Sequence, residues 1–234
     1  MHHSHKIIES INENYKTLLV DKIILDVSAF CLQWGERFPL YPNKGFLFVG
    51  KAVDGWLSSK TDIEFLLNTQ QRNGFKDLRN QLNSGYSMWG SVDFGNKRKE
   101  GFWKITEQIA KEFHTKEWFC NIAWTNLYKI APFDGGDPCL GLIGEQQKSC
   151  LEIFQKEVEL LSPEYVFMLT SGWEKEFLKY LNDNKTPKAE KTVKWGQYSS
   201  KLLLINGVKF IASPFPHAKP ETSHKEAILE LMKG

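Results

Sequence analysis

Four short segments hold most of the residues in this chain whose types and spacing suit chemistry. They are Gly50-Lys51-Ala52-Val53-Asp54-Gly55-Trp56, the stretch TNLYKIAP from Thr125 to Pro132, the stretch TSGWEK from Thr170 to Lys175, and SPFPHAK from Ser213 to Lys219. The second is the richest. Within eight residues it sets a hydroxyl (Thr125), an amide (Asn126), a cation (Lys129) and a closing Pro132. An amide offers a donor and an acceptor side by side, which suits the edge of a planar heterocycle, and a lysine suits a nearby phosphate. The plainer alternative has Asn126 capping the next element and Lys129 in solvent. In SPFPHAK, prolines 214, 216 and 220 stiffen the turn that carries His217, lowering the entropy cost of presenting an imidazole. A solitary histidine is also a common structural residue. The first segment offers backbone amides after Gly50 and a carboxylate at Asp54. It fits neither G-x-x-x-x-G-K-[ST] nor G-x-G-x-x-G, so a strand-to-helix turn is its simplest role.

Each segment follows a short apolar run, and helical patterns separate the runs. Phe46-Leu47-Phe48-Val49, Trp118 to Ala123 and Tyr165 to Leu169 are apolar without alternation, as strands buried on both faces are. Residues 201–205 and 208–212 flank Asn206-Gly207, a strong two-residue hairpin signal. Helices are predicted over 102–113, 142–161 (ended by Ser162-Pro163), Gly172 to Leu181, and about 220–233, with Pro220 in the first turn. Residues 7–34 carry apolar positions near helical spacing, so one or two opening helices are expected, forming an extension over about 5–36. A further helix is expected from Thr61 or Asp62. The glycine- and aromatic-rich stretch 83–101, with Lys97-Arg98-Lys99, reads as a long surface loop. Strands alternating with helices imply an α/β layer structure around a mainly parallel sheet, and in such sheets ligands bind beyond the carboxyl ends of the strands. All four segments are predicted to lie there.

Composition narrows the classes. The 234 residues carry 30 Lys+Arg against 28 Asp+Glu, so bulk charge marks neither a disordered chain nor an obvious nucleic-acid binder. No apolar run reaches the roughly 18 residues of a membrane span, and the start MHHSHK has no apolar signal region. A soluble, cytoplasmic, monomeric protein of one domain is expected. His2, His3 and His5 read as a frayed terminus. Cys31, Cys120, Cys139 and Cys150 include no C-x-x-C pair, which argues against a zinc knuckle or a disulfide framework. Aromatic residues are abundant, with 16 Phe, 8 Trp and 7 Tyr. Phe46, Phe48, Phe119 and Phe167 belong to predicted strands and hence to the core. Trp56, Tyr86, Trp89 and Trp173 lie in loops, where flat ligands stack.

The order and content of the four segments resemble the uracil-DNA glycosylase superfamily. TNLYKIAP is similar to the T-N-x-x-K-x-x-P of its iron–sulfur branch, and FPHAK stands where P-H-P-S-P would. Helix 142–161 followed by SPEYVFMLTSGW is similar to the family's helix, then a hydrophobic strand ending in Gly. The resemblance spans most of 44–233 and leaves the opening residues and 57–101 unmatched. It implies a three-layer α/β/α fold with a mainly parallel four-stranded sheet, a DNA partner (single-stranded or damaged) and hydrolysis of an N-glycosidic bond. It assigns Asn126 to the base edge and His217 to a hydrogen bond on the departing base. Asp54 would orient water, Gly50, Lys51 and Ala52 would form the base-binding loop, Trp56, Tyr86 or Trp89 would stack, and Lys129, Lys219 and the Lys97-Arg98-Lys99 loop would hold phosphates.

The sequence also departs from that pattern. Lys51 and Ala52 stand where active relatives have an acid or amide, with Asp54 two residues late, and Ala218 and Lys219 replace Pro and Ser. Of the cluster cysteines only Cys150 matches, and a [4Fe–4S] cluster needs four thiolates, so no cluster, metal or other cofactor is expected and Cys150 reads as a buried helix residue. Two further readings stay open: a non-hydrolytic nucleic-acid or nucleobase binder of the same fold, and an α/β enzyme acting on a small metabolite. Convergence of Asn126, His217 and the 50–56 loop at one place separates the first two from the third.

Overall fold

A computed structural model describes residues 2–20, 27–35, 38, 45–52, 57–58, 101–114, 118–132 and 135–233. Its elements in chain order are α1 (His2–Val20), β1 (Val27–Ala29), β2 (Gln33–Trp34), β3 (Phe46–Ala52), β4 (Leu57–Ser58), α2 (Gly101–Phe113), β5 (Ile122–Tyr128), β6 (Ile130–Pro132), α3 (Leu140–Leu161), β7 (Tyr165–Leu169), α4 (Lys175–Leu181), β8 (Ala189–Trp195), β9 (Tyr198–Ile205), β10 (Val208–Ser213) and α5 (Glu221–Met232).

The central sheet has seven strands in the order β2-β5-β3-β7-β10-β9-β8. Its middle four, β5, β3, β7 and β10, are parallel, while β2 on one flank and β9 on the other run against them and β8 pairs antiparallel with β9. The central sheet is thus α/β and mixed, and wider than the four strands expected, with seven. β4, β1 and β6 form a separate antiparallel sheet. Strict alternation along the central strands divides the core. Leu47, Val49, Ala123, Leu127, Val166 and Met168 face α1, α3 and α4. Phe46, Phe48, Ile122, Trp124, Tyr165 and Phe167 face α2 and α5. Helices therefore cover both faces, which is why these strands read as unbroken apolar runs.

The β9–β10 turn has Asn206 at φ 50° and Gly207 at φ 81°, the paired left-handed conformations of a type I′ hairpin. Three expectations are corrected. In the extension over about 5–36 the described residues are helical through Val20, but Val27–Ala29 and Gln33–Trp34 are strands. Residues 29–32 are all buried, and a run buried on every side carries no period that separates helix from strand. The Thr125–Tyr128 part of TNLYKIAP is the carboxyl half of β5 itself, not a loop after it. After β7, residues 171–174 form a turn, so α4 begins at Lys175 and not at Gly172.

Candidate functional site

Continuing the alternation of β3 and β5 sets Gly50 and Asn126 on the α2 face, where they are register partners in adjacent parallel strands. A Cβ added at Gly50 would lie 2.3 Å from Asn126 Oδ1 and 3.7 Å from Phe102 of α2. The missing side chain is therefore what lets the Asn126 amide lie across β3. Asn126 is only 3% exposed, and its Nδ2 has no hydrogen-bond partner among the described residues. Burying an amide donor unpaired costs roughly 1–3 kcal/mol, a debt that a ligand's acceptor would cancel.

Phe102 links this amide to the segment after β10. Its ring lies parallel to that of Phe215, with centroids 6.4 Å apart at 19°. Beside it, Gly101 approaches Pro216 so closely that a Cβ there would sit 2.7 Å from it. The turn after β7 is tied in as well. The Phe215 amide donates to Ser171 Oγ at 2.7 Å, and the amides of Thr170 and Ser171 donate to the Ser213 carbonyl at 3.1 and 3.4 Å. Glu174 holds this turn in shape, accepting from the Thr170 hydroxyl and, at 2.8 Å, from the Gly172 amide. Lys51 extends from the end of β3 over the same edge. Its Nζ lies 5.2 Å from the Trp173 ring, 5.1 Å from the Phe215 ring and 3.3 Å from Asp137.

The carboxyl edge of the parallel strands thus gathers Gly50, Lys51, Ala52, Asn126, Trp173 and the 213–219 segment. Ala52, half-buried, pairs with Tyr128. His217 is exposed on the turn that follows Pro216, its carbonyl accepting from Lys219 Nζ at 3.3 Å. Lys219 also lies over the Tyr198 ring, 5.3 Å from its centroid. Ala218 has φ 55°, a left-handed conformation that proline, locked near −65°, does not adopt. A proline at position 218 would therefore require a differently bent turn. Asp54, Trp56 and Trp89, like Tyr86 and the Lys97-Arg98-Lys99 cluster, lie outside the described residues.

Lys129 does not fit a phosphate contact. It is fully buried, and its Nζ donates to Thr125 Oγ1 (2.7 Å), the Asn126 carbonyl (2.6 Å) and both oxygens of Glu157 (3.0 and 2.8 Å). Glu157 accepts further bonds from Tyr15 and Thr125. The lysine that looked like a surface cation is a strut beneath Asn126, pinning the backbone carbonyl of that residue. Next to it Gln146 accepts from the amides of Lys129 and Ile130 and returns a bond to the Ile130 carbonyl. Cys150 is buried as expected, and burial, partly offset by the Lys129 charge, pushes its thiol up to about 12. Among the described residues no three His, Cys, Asp or Glu side chains group as metal ligands would.

A second polar chain runs beneath the end of β10. Trp195 Nε1 donates to Ser200 Oγ at 3.0 Å, Ser200 and Ser213 share a bond of 2.7 Å, and Ser213 meets His224 Nε2 at 2.7 Å. Trp195 stacks on the imidazole at 4.4 Å, and His224 Nδ1 is buried without a partner. Burial first, then the Lys219 charge, lowers the His224 pKa to about 4. Sequence reasoning passed over Phe102, Phe215, Glu174 and this chain. Phe102 reads from the sequence only as one member of an apolar helix face, and the others lie apart in the chain with no motif joining them.

No helix among the described residues is long and apolar enough to cross a membrane. Comparison with models of known protein families finds no match, and neither does comparison with curated proteins.

Proposed function

We propose that this edge recognises a flipped-out nucleobase, uracil or a related damaged base in DNA, and hydrolyses its N-glycosidic bond. The observation that carries the reading is the Asn126 amide: 3% exposed, with an unpartnered Nδ2, laid over a glycine at the carboxyl edge of the sheet. Its paired donor and acceptor match the Watson–Crick edge of a pyrimidine taken out of the stack. The fold supports the reading at a coarser level, since the four segments that resemble the glycosylase superfamily all belong to, or follow, the four parallel strands. Phe102 and Phe215 supply apolar surface beside the amide. In this reading His217 donates to the anion developing on the departing base and Asp54 orients the attacking water, roles carried over from the resemblance. No metal or cofactor is called for, since the leaving base takes the bonding electrons as a stabilised anion.

The test is base release from uracil- and hypoxanthine-containing oligonucleotides by wild type, Asn126→Ala, His217→Ala and Gly50→Ala. Loss of one preorganised donor is expected to cost about 10²–10³ in rate. Gly50→Ala is expected to do similar damage by driving the Asn126 amide out of place, with the fold retained by circular dichroism. Wild type that releases no base where a control enzyme does refutes hydrolysis. One feature favours a second reading, a binder that does not hydrolyse. Lys51, where active relatives carry an acid or amide, spends its charge on Asp137 and two rings. Binding to the same oligonucleotides without base release, weakened by Asn126→Ala, is the outcome that selects it.

A further inference from the structure

Residues 175–201 hold seven lysines against three acids, Glu176, Asp183 and Glu190, in a chain whose total is only +2. The structure sorts them. Lys191 turns back onto α5, donating to the Glu230 carbonyl at 2.8 Å. Lys194 and Lys201 behave differently: both are exposed and make no ion pair among the described residues. In the β8–β9 ladder Lys201 faces Thr192 and Lys194 faces Ser199, which makes the two lysines diagonal neighbours on one face, about 7–8 Å apart. The intervening Ser200 points to the other face, into the Trp195–Ser213 chain. Lysines on an edge strand commonly guard against unwanted strand pairing. That explanation covers β8 but not Lys201, which sits on β9, paired on both sides.

Their level in the sheet gives the second observation. Lys201 pairs with Ala212, one residue before β10 ends, and Lys194 lies beyond it, so both stand at the level of the edge where Asn126 and the 213–219 turn gather, on the α4 face of the sheet and opposite the α2 face that carries Asn126. On the same side of the sheet α4 packs on β9 and β10 and begins at Lys175, also exposed, directly after the Ser171–Glu174 turn. Glu190, the acid of β8, sits at the β-bulge toward the opposite edge.

We propose that Lys194, Lys201 and Lys175 form a track for the phosphates of a single nucleic-acid strand that leads to the Asn126 site. Three exposed cations with no ion pair among the described residues, on the face behind an edge over which an unpartnered amide lies, fit a polyanion that crosses that edge to have its bases read one at a time. The inference rests on the proposed reading of Asn126 only for the direction of the strand, and its test is independent of base release. Binding of an undamaged, fluorescently labelled single-stranded oligonucleotide is measured across a salt titration for wild type, the double variant Lys194→Gln/Lys201→Gln, and Lys185→Gln. Lys185 is exposed near the opposite edge, where Asn206 Nδ2 holds the end of α4 at the Leu181 carbonyl (3.0 Å).

At about 0.7 counterions per single-strand phosphate contact, two lost contacts lower the salt slope by about 1.4 and weaken binding about 25-fold at 0.1 M salt. Lys185→Gln is expected to bind as wild type does. The double variant Lys194→Arg/Lys201→Arg, which keeps the charge, should restore the slope. An unchanged slope in Lys194→Gln/Lys201→Gln, an equal loss in Lys185→Gln, or binding only to acidic phospholipid vesicles overturns the track. Loss of binding in the Gln double variant, with no base release by wild type, upholds the track and refutes hydrolysis.

Discussion

His224 gives the fold a pH dependence that can be worked out in advance. The imidazole is wholly buried, stacked on Trp195 and bonded through Nε2 to Ser213, with a folded-state pKa lowered to about 4 by burial and by the Lys219 charge. Its unfolded value is about 6.5. Between those values the unfolded chain binds a proton that the folded chain refuses, so stability is complete above about pH 6.5 and is lost as pH falls toward 4. Integrating between the two pKa values, the loss from pH 7 to pH 5 is about 2 kcal/mol. Urea denaturation of wild type and His224→Gln at pH 7, 6 and 5 measures it. The variant lacks the titrating group, so the stability difference between the two proteins should shrink by about 2 kcal/mol toward the acid end. A difference that stays constant across this range refutes the argument. It would mean that the imidazole takes up its proton in place, by opening to water beside Ser213.

Two other outcomes follow from buried groups. Lys129→Met leaves Glu157 charged and unpaired and is expected to cost about 3–5 kcal/mol in denaturant unfolding, whereas Lys129→Met/Glu157→Leu should recover most of it; a single variant within about 1 kcal/mol of wild type would show the pair to be dispensable. In the native protein at pH 8 a thiol reagent should modify exposed Cys139 and leave Cys31, Cys120 and Cys150 untouched, all four reacting in denaturant; labelling of Cys150 as fast as Cys139 would contradict a thiol raised to about 12.

The parallel strands and their helices were legible because burial on both faces leaves unbroken apolar runs between helical stripes, and because Asn206-Gly207 admits few other conformations. The site was legible in part. Gly50 and Asn126 could be singled out by type, but their contact depends on a register between strands more than seventy residues apart. Lys129 was misread for the same reason. Nothing local tells a solvated lysine from one paired with Glu157, 28 residues on, because the carboxylate lies on another layer. The short strands of 27–34 escaped detection because helical spacing over a few apolar residues arises by chance once every side of the run is buried.

The Lys129–Glu157 pair also changes what the opening helix is for. Tyr15 of α1 donates to Glu157 at 3.1 Å, while Asn14 bonds Glu152 and Lys156 of α3. A helix that lies outside the resemblance is thereby the stopper of a charged well, at the bottom of which a lysine grips the strand that carries Asn126. Trimming the protein to residues 44–233 would uncork that well and let water reach the ions that hold the strand carrying Asn126 in line. A minimal version of this protein begins with the helix.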